Sequence, residues 1–180
     1  MRVIAGEAGG IRLLSVPGRK TRPITDRVKA ALFDILGGKV KGASFLDLFA
    51  GTGSVGIEAL SRGAAKATFV EKDPFVIRVL QENLRRTGFE ARAEIVQGDV
   101  FKFLERETSR SYDIIYLAPP QYLGLWAKTL LLLDRTRHLH PDGLVIAQIF
   151  PKEYEELPLE NLKLKDKRRY GSTLLCFYSL

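Results

Sequence analysis

Cysteine is almost missing from this 180-residue sequence, where Cys176 stands alone. That excludes an intrachain disulfide and a cysteine zinc site, and it points to a reducing cytoplasm. A run of 18 apolar residues is also missing, so no segment is expected to span a membrane. The N-terminus reads MRVIAGEAGG, with glycines and charge where a signal peptide would be apolar. Internal repeats and low-complexity tracts are absent. What remains is 46% hydrophobic and 27% charged, the balance of a globular protein rather than a disordered chain, a collagen or a coiled coil. A chain of this length makes one ordinary domain and buries about 70% of its unfolded surface, enough core without covalent staples.

The net charge of +7 is unevenly spread. Residues 1–42 carry nine Lys/Arg against three Asp/Glu, and residues 161–180 carry five against one. The middle, 43–160, carries fourteen against seventeen. Two basic ends around a mildly acidic centre suggest a polyanionic partner, nucleic acid above all. A merely solvated basic surface is the competing explanation.

The pattern along the chain implies an α/β fold. RVIA (2–5) and IRLL (11–14) read as a small hairpin, followed by a polar connector GRKTRP (18–23). Thr25 or Asp26 caps an expected helix that carries Val28, Ala31, Leu32 and Ile35 and ends at Gly37-Gly38. From residue 44, strands (SFLDLF, KATFVE, RAEIVQ, YDIIYL, LVIAQIF) alternate with helices over 54–62, 74–87, 100–107 and 123–133. Such alternation predicts a parallel sheet covered on both faces. LKLKDKRRY and TLLCFYSL follow without an intervening helix, so the sheet is expected to finish in an antiparallel hairpin. The expected division is a basic N-terminal extension, 1–42, and a Rossmann-like domain of about seven strands, 43–180.

The strongest chemical signal is Asp47-Leu-Phe-Ala-Gly51-Thr-Gly53-Ser-Val-Gly56, which closes the first of the alternating strands. Bare, Gly51-x-Gly53-x-x-Gly56 with Glu71 twenty residues on is the dinucleotide fingerprint. Asp47 argues against a pyrophosphate, because its charge would repel phosphates in a low-dielectric crevice. It suits a cation, and S-adenosylmethionine carries a sulfonium, an ammonium and no phosphate. Glu71 then takes the ribose hydroxyls, and Asp99, after the third strand, takes the adenine amine. A plain helix-capping role for Asp47 or Asp99 is the alternative. The fourth strand ends in Ala118-Pro119-Pro120-Gln121-Tyr122, a stiff turn that can aim carbonyls at an amine beside an aromatic ring.

These motifs together resemble the RsmD family of bacterial 16S rRNA guanine-N2 methyltransferases, over nearly the whole chain. The resemblance lies in Arg2-Val-Ile-Ala-Gly6, in the run from Thr21 to Phe33 (TRPITDRVKAALF), in Phe45–Gly53 and Gly56–Gly63, and in Val70-Glu71-Lys72. It implies a class I methyltransferase that takes methyl from S-adenosylmethionine and acts on a guanine in 16S rRNA, within a small ribosomal subunit or its assembly intermediate. It also implies a cofactor site built from Asp47, Phe49, Ala50, Gly51, Gly53, Glu71, Lys72, Asp99, Val100 and Ala118. One departure stands out. The family's fourth motif usually begins with an acid, D-P-P-Y or D-P-P-F, and this chain has Ala118 there, with Gln121 and Tyr122 after the prolines. The expected catalytic set is Pro119, Pro120, Gln121 and Tyr122, with main-chain carbonyls and Gln121 accepting from the amine and Tyr122 stacking on the base. Arg19, Lys20, Arg22 and Arg27 are the expected phosphate contacts, and no metal is required. Cys176 and Trp126 are expected in the core, His138 and His140 outside any metal cluster. Lys167-Arg168-Arg169 either touches RNA or protects an edge strand. Another amine methyltransferase, a non-catalytic RNA-binding protein and a dinucleotide oxidoreductase stay open as alternatives.

Overall fold

The computed structural model describes residues 1–17 and 23–180. Its sheet has seven strands: β1 (Ser44–Leu48), β2 (Lys66–Glu71), β3 (Ala93–Gln97), β4 (Tyr112–Leu117), β5 (Leu139–Ile149), β6 (Lys163–Tyr170) and β7 (Thr173–Ser179). The spatial order is β3-β2-β1-β4-β5-β7-β6. The first five strands are parallel, and β7 pairs antiparallel with both β5 and β6. The order reverses between β1 and β4, which opens a crevice at their carboxyl ends.

The helices are α1 (Asp26–Leu36), α2 (Ser54–Ser61), α3 (Pro74–Thr87), α4 (Val100–Glu105) and α5 (Leu125–Leu133). Successive strand side chains point to opposite faces, and two cores result. Phe45, Phe69, Ile114 and Ile146 pack with Leu32, Phe33, Leu60 and Leu80 of α1, α2 and α3. Leu46, Val70, Ile115 and Leu117 pack with Leu104, Trp126, Leu130 and Leu133 of α4 and α5. β1 is buried on both faces, which is why SFLDLF shows no alternation.

The capping chemistry sets the helix ends. Thr25 Oγ1 accepts from Val28 N at 3.3 Å to start α1, and Gly37, at φ +51°, ends it. Asp73 caps α3 ahead of Pro74, and Gly88 closes it. RVIA and IRLL meet as a single antiparallel bridge, Arg2 opposite Arg12, flanked by Val3 N to Ile11 O at 2.9 Å. Val3, Ala8 and Leu13 of this segment sit in the same core as α1 and α2.

Two expectations need correcting. The helix expected over 123–133 begins at Leu125; Leu123 precedes it and is 68% exposed, because Gly124 at φ +67° is the N-cap and turns the chain there. β5 begins five residues earlier than LVIAQIF, at Leu139. Tyr112 N donates to His138 O at 2.7 Å, and a register shift between Tyr112 and Ile114 absorbs the Pro-Asp-Gly stretch. Cys176 and Trp126 are buried, and burial raises the Cys176 thiol to about 11.

Candidate active site

A cavity of about 320 Å³ lies at the carboxyl ends of β1 to β4. Of the expected cofactor residues, Asp47, Phe49, Ala50, Gly51, Glu71, Lys72, Asp99, Val100 and Ala118 line it. Gly53 sits behind that wall as the N-cap of α2. Gly53 has no side chain to cap with, and Asp47 does part of that work from β1: its Oδ2 accepts from Gly56 N, in the first turn of α2, at 3.1 Å. Gly56 is required by the close approach, since a Cβ there would come within 2.4 Å of the Phe69 ring. Burial holds the Asp47 carboxyl well above the ordinary range, against the pull of the Gly56 bond, and the charge of Glu71 adds to it.

Glu71 is fixed by backbone alone. Its Oε2 accepts from Gly51 N at 2.9 Å, and its Oε1 accepts from Lys72 N and Asp73 N, both at 3.1 Å. The carboxylate thus staples the glycine loop to the end of β2 and still presents an edge to the cavity. Asp99 meets the capping alternative in part: its Oδ1 accepts from Phe101 N at 2.8 Å and Lys102 N at 3.1 Å at the start of α4. Both of these bonds use the same oxygen, and the residue also lines the cavity.

The turn between β1 and α2 carries strain where it meets the cavity. Phe49 adopts φ +60°, a left-handed conformation that a bulky residue rarely takes. It packs edge-on to Phe101 with ring centroids 6.4 Å apart. Asn83 of α3 braces the loop from outside. It donates to Thr52 O at 2.9 Å and to Leu14 O at 3.1 Å, and it accepts from Leu14 N at 2.7 Å. The N-terminal segment is thereby tied to the glycine loop, and Met1, Ser15, Val16, Pro23 and Ile24 complete one wall of the cavity.

The expected catalytic set is divided. Pro120 lines the cavity, Pro119 is buried behind it, and Gln121 and Tyr122 stand outside its wall. Tyr122 is 63% exposed, also at φ +60°, and its ring stacks on Phe150 at 5.2 Å. Its N–H donates to Glu153 Oε1 at 2.6 Å, which fixes the turn. Arg27 is exposed on α1, whereas Arg19, Lys20 and Arg22 lie outside the described residues.

Two residues that the motifs did not single out also line the cavity: Tyr116 of β4 and Gln148 of β5. The Tyr116 hydroxyl donates to Gln148 Oε1. Burial, and then the charge of Asp47, push the Tyr116 phenol well above its ordinary range, so it stays a donor.

The arrangement offers three acids at the ends of three adjacent parallel strands, around a glycine turn, with a stiff proline turn opposite. The family described as conserved hypothetical protein 95 matches residues 1–179. Ribosomal RNA small subunit methyltransferase D of Haemophilus influenzae is 35% identical over 95% of this chain and 89% of its own length. The solved structure of the Escherichia coli protein yhhF superposes with a TM-score of 0.86 at 32% identity, covering 99% of this chain and 96% of that one. An RNA methyltransferase from Salinibacter ruber, solved with S-adenosyl-L-homocysteine, shares the fold at a TM-score of 0.66 and 18% identity, over 87% of this chain and 92% of that one. Motifs, topology and full-length similarity converge, and the chain belongs to the RsmD family, whose members match the description conserved hypothetical protein 95.

Proposed function

We propose that this chain transfers the methyl group of S-adenosylmethionine to the exocyclic N2 amine of a guanine in 16S rRNA, within a small ribosomal subunit or its assembly intermediate. The observation that carries the reading is the placement of Asp47, Glu71 and Asp99 on one cavity at the ends of β1, β2 and β3. The name carried by the Haemophilus relative supports rRNA of the small subunit as the substrate.

The donor set fits the cofactor. A Cβ on Gly51 would meet nothing within 4 Å, so this turn, at φ +58°, faces open cavity rather than protein. Bound there, S-adenosylmethionine supplies an electrophilic methyl carbon on a positively charged sulfur. Asp47 gives the cation a buried counter-charge, Glu71 accepts from ribose hydroxyls with the edge its backbone bonds leave free, and Asp99 accepts from the adenine amine. Lys72 and Val100 border the ribose and the adenine. A buried Asp47 beside the glycine loop disfavours the pyrophosphate of a dinucleotide.

The Pro119-Pro120 turn bounds the opposite side, where the acceptor amine enters. Holding donor and acceptor about 3–3.5 Å apart is the main catalytic task. The target base must leave its stack, so loop or single-stranded RNA is favoured. Basic residues serve the phosphates: Arg19, Lys20, Arg22 and Arg27 of the N-terminal sequence, and those of the β6 edge. β6 runs parallel to β5, because both are antiparallel to β7. Arg168 and Arg169 therefore sit at the same end of the sheet as the cavity. The deciding experiment is tritiated-methyl transfer to unmodified 16S rRNA and to small subunits, followed by nucleoside analysis. N2-methylguanosine is the expected product. Label on a protein, on DNA or on another base would overturn the assignment.

A further inference from the structure

We propose that Gln148, held in place by Tyr116, positions the target amine in this chain, filling the role that Ala118 leaves open. The inference rests on the reading of the chain as an amine methyltransferase and adds to it the residue that orients the acceptor.

The sheet register brings the two positions together. Leu117 of β4 pairs with Ala147 of β5, so one further step sets Ala118 abreast of Gln148. Side chains two residues apart share a face. Asp47, which pairs with Tyr116, therefore looks into the same side of the crevice as Tyr116, Ala118 and Gln148. All four line the cavity, together with Pro120 and Leu125.

The chemistry at that spot is specific. A methyl group at position 118 offers no hydrogen bond. The neighbouring amide offers both kinds. Its Oε1 accepts from the Tyr116 hydroxyl, which fixes the plane of the amide. One oxygen lone pair and two Nε2 hydrogens remain for a ligand. An exocyclic amine on a nucleobase lies beside a ring nitrogen, a donor next to an acceptor. A glutamine amide complements such an edge with two parallel hydrogen bonds. Gln121, the acceptor expected from sequence, stands outside this wall.

The neutrality of the amide also suits its surroundings. Asp47, Glu71 and Asp99 already place three acids on this cavity, and the Asp47 carboxyl is raised partly by the charge of Glu71. A further carboxylate would add to that repulsion and would oppose an approaching phosphate. An amide positions the amine at no such cost.

The test uses single-turnover methylation of the RNA that the wild-type chain modifies, with cofactor affinity measured in parallel by calorimetry. Gln148→Leu keeps the volume and removes both hydrogen-bonding functions. It is expected to slow the methyl-transfer step by about 10²–10³ and to leave S-adenosylmethionine affinity in place. Tyr116→Phe frees the amide and costs about tenfold, a loss that disappears when Gln148 is already Leu. The decisive arm is repair. In the Gln148→Leu background, Ala118→Asp is expected to restore about tenfold or more of the rate, a gain it does not bring to the wild type. A side chain that only supported the fold would not be repaired by an acid on the neighbouring strand. A Gln148→Leu protein within about threefold of wild type, or a loss that Ala118→Asp fails to repair, overturns the inference and leaves the methyltransferase reading intact. A wild type that binds the cofactor and methylates no nucleic-acid amine overturns the underlying reading itself.

Discussion

The ammonium of Lys29 lies 3.5 Å from the carboxylate of Glu58, and both side chains are fully buried. The pair joins α1 to α2 beneath the N-terminal segment. Lys29 Nζ also donates to Arg2 O at 2.7 Å and Ser54 Oγ at 2.9 Å. Glu58 accepts from Ile4 N at 2.7 Å, Ala5 N at 3.2 Å and Arg62 Nε at 2.9 Å. Burial lowers the Lys29 pKa, and the Glu58 charge works against that shift.

Removing Lys29 takes away the fully buried cation and leaves the Glu58 carboxylate to Arg62, whose side chain is partly exposed. Lys29→Met is expected to cost up to about 3–5 kcal/mol of stability. The double variant Lys29→Met/Glu58→Gln should recover part of it, because the buried carboxylate goes with the ammonium and the Arg62 guanidinium it leaves behind reaches solvent. Denaturant titration of the four proteins gives the coupling. Additive losses would show that the two charges do not sense one another.

Asp47 predicts a conflict between stability and binding. Its folded pKa lies well above the ordinary 3.8. Its favourable contribution is therefore complete below the unfolded value and is lost as pH rises through the folded one. With no cofactor added, Asp47→Asn should melt several degrees above wild type at pH 8, at about 2–4 °C per kcal/mol for a chain of this size. The gap should close toward pH 4. Asparagine keeps an acceptor for Gly56 N and discards the charge, so cofactor affinity should fall in the same variant. Calorimetry and thermal melts across pH test both halves.

Glu71 has two jobs that substitution can separate. Glu71→Ala loses the ribose acceptor and strands the Gly51 and Lys72 N–H groups, and should weaken S-adenosylmethionine binding by about 1.5–3 kcal/mol. Glu71→Gln retains one oxygen and should lose less. Equal affinities for wild type and Glu71→Ala would remove this residue from the cofactor site. Tight NAD binding in place of S-adenosylmethionine would restore the oxidoreductase alternative.

The two groups of basic residues should appear in the salt dependence of RNA affinity. Each phosphate contact adds about 0.7–0.9 to the slope of log affinity against log salt. Changing Arg19, Lys20 and Arg22 together to Ala should flatten it, as should a Lys167, Arg168 and Arg169 triple change on β6. Cofactor affinity should not move. An unchanged slope returns the affected residues to plain solvation or, for β6, to edge-strand protection.

Much of this was legible in the sequence where the signal is local. β2 and α3 fall where KATFVE and the Pro74 start place them, since Asp73, Pro74 and Gly88 punctuate the chain within a few residues. The three acids were legible because each lies near a strand's carboxyl end: Asp47 one residue before the end of β1, Glu71 closing β2, and Asp99 two residues beyond β3. The parts that were not legible depend on register and on distant chain. Gln148 matters only because β5 lies beside β4 with Ala147 opposite Leu117, and no local pattern carries that pairing. The placement of Tyr122 against Phe150 depends on the course of the chain after β5. The wall formed by Met1, Ser15, Val16, Pro23 and Ile24 depends on Asn83, a polar residue inside an amphipathic helix that gives no hint of its partners at Leu14 and Thr52.

That Asn83 brace has a consequence for the order of events during synthesis. Leu14 emerges early in translation, and its partner lies 69 positions later. At about 5–20 residues per second the first stretch of chain waits roughly 3–14 s before its hydrogen-bonding counterpart exists. Until then the Leu14 amide and carbonyl have only water, and the cavity lacks one side. A nascent chain therefore cannot hold the methyl donor by its first strand and helices alone, and cofactor capture reports that both ends of this long closure have met.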